Sequence, residues 1–302
     1  MYVIETFDLC KKYNSKLVIQ HVNMHVPEHA IYGFVGENGS GKTTIMRLVT
    51  GLAEPSSGSF NLFGASNKSK EIYEKRKNVS ALVEAASLVP TMTALENMRY
   101  QEAYQGIKLN NDERNELLKK VHLEDVGKKK VKNYSLGMRQ RLAIALALMN
   151  KPKLMLLDEP MNGLDPEGIA ELRDLLIELN QKEGLTILIS SHILSELEKI
   201  ASCYGFISHG SLLEELSLEE LQSRCRKSLC IKVNDITKAE EALNSLNLKE
   251  VNYFPNGDLK IYDDVKINDI VRELDKHHID ILTINSNDES VEDYYLKLVK
   301  GE

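Results

Sequence analysis

Short runs of β-branched and aromatic residues, separated by turn residues, dominate the first forty positions of the chain. The clearest runs cover residues 2–6, 17–19 and 30–35, and their composition predicts strands. The last run leads directly into a glycine-rich segment. A strand that opens into a glycine loop, with a helix after it, is typical of the start of an α/β nucleotide-binding fold.

The middle of the chain has a helical pattern, because residues 93–123 place charged residues between apolar ones and a basic loop follows at 127–132. We predict a helical subdomain at about residues 85–150. The pattern then predicts, in order, a helix over 136–148, a buried strand over 154–157, a helix over 166–182 and a buried strand over 186–190. Nearly continuous apolar strands that alternate with helices are what a parallel sheet covered on both faces requires.

The character of the pattern changes again after about residue 212. Short strands are predicted at 228–233, 249–254 and 258–262, with amphipathic helices at 238–246 and 267–278 and a turn at 255–258. The sequence therefore predicts two domains: a nucleotide-binding domain over residues 1–212 and a small α+β accessory domain over residues 213–302. Residues 216–226 are expected to join them.

Composition narrows the possible surroundings of the protein. The 302 residues carry a formal net charge of −7, which argues against a broad basic face for nucleic acid, so no nucleic-acid partner is expected. The four cysteines form no CxxC pair, as expected of reduced thiols in the cytoplasm. The longest apolar run, residues 142–149, is far short of the roughly 20 residues that cross a bilayer, so no direct membrane insertion is expected.

A complete phosphate-loop motif follows the strand at 30–35. The string Gly36-Glu37-Asn38-Gly39-Ser40-Gly41-Lys42-Thr43 matches GxxxxGK[ST] at every fixed position. Its glycines let successive amides face inward, and the next helix, which contains Thr44, adds its positive dipole end to this cradle. The motif predicts ATP phosphates on this loop, with Lys42 reaching the β- and γ-phosphates and the Thr43 hydroxyl binding Mg²⁺.

Two adjacent carboxylates, Asp158 and Glu159, end the buried strand that begins near residue 154. Ligands of open α/β sheets bind at the carboxyl ends of strands. Asp158 is therefore predicted to hold the Mg²⁺ shell, and Glu159 to polarise the water that attacks the γ-phosphate. On its own such a pair is more often a solvated strand end, and the complete phosphate loop makes the catalytic interpretation the stronger one.

The segment Tyr134-Ser135-Leu136-Gly137-Met138-Arg139-Gln140-Arg141 resembles the signature sequence of ATP-binding-cassette (ABC) ATPases. The resemblance covers residues 1 to about 212. It implies an α/β P-loop NTPase fold with a helical subdomain, and it implies that Tyr13 stacks on adenine. Ser135 and Gly137 would touch ATP, and His192 would act as the switch histidine that contacts the γ-phosphate. Residues 162–165 resemble the D-loop of the family.

Two departures from the usual family pattern point to a subclass. Glu84 stands where the family usually has a glutamine that touches Mg²⁺, and Leu136 and Met138 replace the commonest signature residues. Both departures resemble the subclass that exports bacitracin-like or lantibiotic peptides. The segments at 88–97 and 290–296 resemble that subclass too.

The resemblance implies an ATP-hydrolysing subunit that drives a separate integral membrane permease, as a homodimer or heterodimer with two ATP molecules between the chains. Such a protein would be cytoplasmic and would lie at the inner face of the plasma membrane through its permease, where it would power export of a peptide antibiotic. Three alternatives stay open at this stage: a non-transport ABC ATPase that acts on ribosomes or nucleic acid, a binding module without catalysis, and an exporter of ions or drugs.

Overall fold

A computed structural model describes residues 1–83, 88–192, 194–225, 227–246, 248–263, 265–288 and 290–300 of the chain. The chain divides into two compact units, Met1–Leu218 and Glu219–Glu302. In chain order the first unit contains β1 (Tyr2–Tyr13), β2 (Lys16–Val22), β3 (His25–Pro27), β4 (Ile31–Val35), α1 (Lys42–Thr50), β5 (Ser57–Leu62), β6 (Ala65–Ser66), α2 (Ile72–Arg76), β7 (Val79–Leu82), α3 (Ala94–Gln105), α4 (Asn111–Lys120), α5 (Leu136–Leu148), β8 (Leu154–Asp158), α6 (Pro166–Glu183), β9 (Thr186–Ser191), α7 (Leu194–Leu197), β10 (Cys203–Ser208) and β11 (Ser211–Ser217).

The central sheet of the first unit has the order β11-β10-β4-β9-β8-β7. Its strands are parallel from β10 to β7, and β11 pairs antiparallel with β10 at one edge. All residues of β4 and β9 are buried, which explains why their apolar residues follow one another, as at 187–189 of β9, rather than alternating with polar ones. The ends of β4, β9 and β8 lie side by side, so whatever follows these three strands is brought together.

A second, antiparallel sheet in this unit has the order β2-β1-β5-β6, and β3 also pairs with β1. One hydrophobic cluster joins residues of this sheet to α1 and to central strands, including Ile4, Ile19, Ile45, Phe60 and Leu156. These side chains are fully buried. The cluster therefore fixes α1, the helix that follows the phosphate loop, against both sheets.

A close approach between β4 and β10 needs a glycine at position 205. A Cβ atom built on Gly205 would lie 2.0 Å from the Tyr32 hydroxyl oxygen. Tyr32 is buried, and its hydroxyl donates a 2.7 Å hydrogen bond to Glu215 on β11. Burial, together with the Glu215 carboxylate, raises the pKa of Tyr32 well above its ordinary value, so the phenol stays neutral.

The helical segment of the first unit is held by local caps and by one buried ion pair. Thr93 and Asn110 each form a capping box, with Glu96 and Glu113 respectively. The guanidinium of Arg114 on α4 donates two hydrogen bonds, of 2.6 and 2.8 Å, to the Glu102 carboxylate on α3. This pair ties the two helices together.

We expect Arg114→Ala to lower the free energy of unfolding by about 3 kcal/mol, because it leaves the buried Glu102 carboxylate without its partner. The hydrogen bond from Arg114 holds the pKa of Glu102 below its ordinary value. A depressed folded pKa stabilises the fold above the carboxyl's unfolded pKa, and this contribution is lost as the pH falls through the folded pKa. Urea unfolding from pH 3 to 7 would therefore show the gap between wild type and variant closing below about pH 4. Lys119→Ala, at an exposed position of α4, is the control. Equal losses in the two variants would contradict this account.

The second unit begins within α8 (Leu218–Arg224) and contains β12 (Lys227–Val233), α9 (Ile236–Leu243), β13 (Val251–Tyr253), β14 (Asp258–Ile261), α10 (Ile267–Lys276), β15 (Ile281–Asp288) and α11 (Val291–Lys300). Its sheet has the order β13-β14-β12-β15, and all pairs are antiparallel. This is the β-α-β-β-α-β arrangement of ferredoxin-like folds. A hydrophobic cluster joins the two helices α9 and α10 to the sheet through Ile231, Leu243, Leu259 and Leu274.

Some elements differ from the sequence-based expectation. The expected junction between the two domains is made of regular elements up to residue 224, because β11 continues to Ser217 and α8 follows at once. The sequence pattern predicted no strand at the position of β15. Five of the eight residues in its sequence, Ile-Leu-Thr-Ile-Asn-Ser-Asn-Asp, are polar, and its pairing with β12 rather than its own β-propensity forms the strand.

Candidate active site

The candidate active site lies at the carboxyl ends of three neighbouring parallel strands. The phosphate loop follows β4, residues 190–192 end β9 or follow it, and Asp158 and Glu159 end β8 or follow it. The ladder pairs Asp158 directly with Ser190. The sheet therefore gathers at one edge three motifs from residues 36–43, 158–159 and 190–192.

The phosphate loop has the backbone that its glycines permit. Gly39 and Gly41 have φ angles of 82° and 117°, and Gly41 is the N-cap of α1. A Cβ on Gly36 would lie 2.4 Å from the carbonyl oxygen of Ile207, so only glycine fits there. The Ser40 hydroxyl is buried and has no hydrogen-bond partner among the described residues. A buried polar atom without a partner beside a helix N-terminus is what a phosphate-binding loop provides.

The Lys42 ammonium lies inside this loop. The side chain is only 5% exposed, and its Nζ donates to the carbonyl oxygens of Gly36 and Glu37 at 2.6 and 3.1 Å. Thr43 and Thr44, which follow on α1, are half-buried. A buried cation beside the amides of a helix start gives the loop an attraction for anions.

Three oxygen-bearing side chains meet beside the loop. The Thr43 hydroxyl donates a 2.6 Å hydrogen bond to Oδ2 of Asp158, and the Ser190 hydroxyl donates one of 2.6 Å to Oδ1. Both carboxylate oxygens are thus fixed. Sequence reasoning missed the role of Ser190, although the pairing of two buried strands that end in polar residues was the available signal.

Glu159 has a left-handed backbone, with φ of 49°. Such strain in a non-glycine residue costs about 1–3 kcal/mol and persists where the surroundings hold it. Its N–H donates to the Ser190 hydroxyl and carbonyl oxygens at 2.9 and 3.2 Å. These two bonds aim the carboxylate towards the phosphate loop.

The Glu159 carboxylate lies between a lysine and a histidine. Its Oε2 is 2.6 Å from Nδ1 of His192, whose backbone N–H also donates to Oε2 at 3.3 Å. Its Oε1 is 3.6 Å from Nζ of Lys42, is buried, and accepts no hydrogen bond among the described residues. The arrangement leaves one carboxylate oxygen available to accept a proton next to a phosphate cradle.

The other residues named from the sequence lie elsewhere or outside the described residues. Tyr13 ends β1, and Lys11 Nζ lies 4.8 Å from the centre of its ring. Ser135 is the exposed N-cap of α5, and its hydroxyl accepts from the N–H of Met138. In the described part of the chain, no hydrogen bond joins Ser135 or Gly137 to the phosphate loop. Glu84 lies outside the described residues.

Comparison with known sequences decides the family. The ABC transporter family model matches residues 19–162. The chain is 39% identical over 301 residues to the bacitracin transport ATP-binding protein BcrA of Enterococcus faecalis, which covers 99% of this chain and 97% of that protein. The chain belongs to the ABC transporter family. Over 208 residues, 69% of this chain and 88% of the relative, it is also 41% identical to the lantibiotic transport ATP-binding protein SrtF of Streptococcus pyogenes.

Solved ABC cassettes confirm the predicted fold class. CbiO1 of Clostridium perfringens superimposes with a TM-score of 0.66 at 23% identity, covering 82% of this chain and 95% of that one. The cassette MJ0796, solved as a dimer bound to ADP and Pi, has a TM-score of 0.63 at 25% identity, covering 71% of this chain and 98% of that one. The predicted membership of the ABC family and the predicted α/β P-loop fold are both confirmed.

As an ABC cassette, this chain is an ATP-binding and ATP-hydrolysing protein. The phosphate loop lies inside the matched region, as do Asp158 and Glu159. Within the described residues, the cassette has no helix that combines the length and the apolar composition needed to cross a membrane.

Proposed function

We propose that this cassette binds Mg-ATP on residues 36–44, hydrolyses it with Glu159 as general base, and thereby drives export of a peptide antibiotic through a separate permease. One observation carries the catalytic part: the buried Oε1 of Glu159, without a hydrogen bond among the described residues, lies 3.6 Å from the Lys42 ammonium beside the phosphate loop. A base must lie within reach of the proton that it removes.

In the proposed reaction, Glu159 accepts a proton from a water molecule as the water oxygen attacks the γ-phosphorus. The bond from the γ-phosphorus to the bridging oxygen breaks, and the electron pair leaves on ADP. Lys42 balances the charge of the β- and γ-phosphates. His192 orients the Glu159 carboxylate through its 2.6 Å contact and approaches the γ-phosphate from the end of β9. The amides of Gly36, Asn38, Gly39, Ser40 and Gly41 and the first turn of α1 bind the other phosphate oxygens.

The oxygens beside the loop fit a magnesium ion. The Thr43 hydroxyl and the Asp158 carboxylate are 2.6 Å apart, and a hydroxyl with a carboxylate is the donor set that Mg²⁺ uses at nucleotide sites. When bound, the ion neutralises developing charge on the phosphates. Ser190 holds Asp158 in place from the other side. Glu84 is proposed as a further oxygen ligand on the strength of its sequence position alone.

Two cassettes are proposed to act together. Ser135 and Gly137, which have no hydrogen bond to this chain's own phosphate loop in the described residues, would contact the ATP held by a second cassette, and Tyr13 would stack on the adenine of its own nucleotide. The dimeric state of the solved cassette MJ0796 supports this arrangement. The pair, a homodimer or a heterodimer, would be cytoplasmic and would reach the inner face of the plasma membrane by binding the permease.

The proposed cargo rests on the relatives. The names of BcrA and SrtF describe bacitracin transport and lantibiotic transport, and BcrA matches this chain along almost its whole length, the C-terminal unit included. We therefore propose a peptide antibiotic of these two classes as the exported compound. Because the permease binds the exported compound, the cassette supplies the energy for export and does not select the compound.

Expression of the cassette together with its proposed permease, in a sensitive bacterium, is expected to raise the inhibitory concentration of bacitracin or a lantibiotic several-fold. Coexpression of the same permease with the Glu159→Gln cassette is the control, and it is expected to give no protection. Purified wild-type cassette should also hydrolyse ATP in the presence of Mg²⁺ and lose this activity in EDTA. Full ATPase activity without protection against either peptide class would reject the cargo and keep the ATPase; absent ATPase activity would reject both.

A further inference from the structure

The two edges of the C-terminal sheet differ in how well they are protected from pairing with another strand. At one edge, β13 has only three residues. Lys249 and Glu250 precede it and Pro255 follows soon after. A short strand flanked by charges and proline is how proteins protect an edge against unwanted pairing.

The other edge, β15, lacks these protections. It is eight residues long, and residues 281–287 include no charged residue and no proline. Among the described residues it pairs with β12 alone. The ladder between β12 and β15 has one register shift, at the pair of Val233 with Ile281, and it is regular from Thr283 to Asp288. A straight, uncharged segment of at least five residues therefore presents backbone N–H and C=O groups on its outer side.

The side chains along this edge suit a neutral partner strand. Ile281 and Ile284 pack against the hydrophobic cluster of the unit. Thr283 and Asn285 are exposed on the opposite face, and Leu282 is 58% exposed at the register shift. Uncovered Leu282 next to an open edge is an apolar surface that a neighbouring strand would bury.

We propose that β15 pairs antiparallel with β15 of a second copy of this chain, so that two C-terminal sheets join into one. Antiparallel self-pairing follows a two-fold axis, so each residue meets a residue of the same uncharged segment. In this pairing no like charges face each other, so the repulsion that usually opposes self-association of a strand is absent. A partner with a charged strand would find no opposite charge on residues 281–287.

This contact differs from the ATP-dependent contact of the proposed function, because it requires no nucleotide. A few main-chain hydrogen bonds and one covered leucine give a weak dimer in dilute solution. Two cassettes held by one permease would experience an effective concentration of about 1 mM, at which a weak contact is largely formed. The contact would keep the two cassettes paired while their nucleotide sites open.

Sedimentation of the full chain without nucleotide and with EDTA tests the proposal. We expect a monomer–dimer equilibrium between about 10 and about 300 μM. Asn285→Lys and Asn285→Glu are each expected to weaken it about fivefold, because like charges then approach across the two-fold axis. An equimolar mixture of these two variants is expected to regain dimer, since the opposed charges now attract.

The matched control is Asn252→Lys, the same exposed substitution on the protected edge strand β13. It should leave the equilibrium unchanged. Urea unfolding of each variant checks that the exposed substitutions leave the fold intact. A chain that stays monomeric throughout this range overturns the proposal. So does a dimer weakened equally by Asn252→Lys and Asn285→Lys, or one that the mixture fails to restore, because the partner strand would then not be β15.

Discussion

Glu159→Gln is expected to reduce the ATPase turnover of the cassette by about 10²- to 10⁴-fold, the range that a positioned general base contributes. Glutamine has the size of glutamate and the same Cβ, so the left-handed backbone at position 159 carries the same strain in the variant. The bonds to Ser190 are kept, because their donor is the main-chain N–H of residue 159. What changes is the proton acceptor near Lys42.

The same variant should keep its affinity for Mg-ATP and accumulate as an ATP-bound dimer, because binding proceeds and cleavage does not. Single-turnover ATPase kinetics and size-exclusion chromatography with and without Mg-ATP measure the two effects. Glu116→Gln, at an exposed position of α4, is the control and should retain wild-type turnover. Normal turnover in Glu159→Gln would show that another group removes the proton.

Lys42→Ala is expected to weaken Mg-ATP binding by about a hundredfold, equivalent to about 3 kcal/mol, since a buried charge that meets the phosphates is lost. Lys42 is almost fully buried, and its Nζ is already 2.6 Å from the carbonyl oxygen of Gly36. The ammonium therefore needs little reorganisation to meet a phosphate, and little of its attraction is screened by solvent. Fluorescent-nucleotide titration in Mg²⁺ measures the change.

Lys11→Ala provides a matched control, because Lys11 is a lysine at the half-buried surface of β1 that lies over the Tyr13 ring. A modest effect there would report the adenine contact rather than the phosphate contact. Circular dichroism establishes that the loss of hydrogen bonds to Gly36 and Glu37 does not unfold the Lys42 variant. Undiminished affinity in a folded Lys42→Ala protein would refute phosphate binding on this loop.

Elements that carry their own pattern were predictable from the sequence. The helix predicted over 136–148 is α5, with the same bounds, because Ser135 caps an apolar helix start. The strands over 154–157 and 186–190 are β8 and β9, each one residue longer. Buried parallel strands can be recognised in a sequence as apolar runs, and the motifs at their ends can then be placed in the fold.

Features that depend on tertiary pairing were not predictable in the same way. The strand β15 is mostly polar and forms through its ladder with β12. β1 runs on to Tyr13 through register shifts against β2, where the sequence pattern predicted only residues 2–6. Within the candidate site, the strained backbone of Glu159 and the bonds of Ser190 to both Asp158 and Glu159 depend on contacts between neighbouring strand ends. The sequence around either residue alone cannot predict such contacts.

The contact between Gly205 and Tyr32 makes two positions 173 residues apart a single packing unit. The phenol fills the volume that any side chain at position 205 would need, and it lies on the strand that leads into the phosphate loop. A methyl group at 205 would have to displace the Tyr32 ring and the strand that bears it, whereas a side chain without this ring at position 32 would first leave room for the methyl group. As this chain diverges, Tyr32 would therefore have to become smaller before Gly205 could become larger. The opposite order would displace the strand that leads into the phosphate loop.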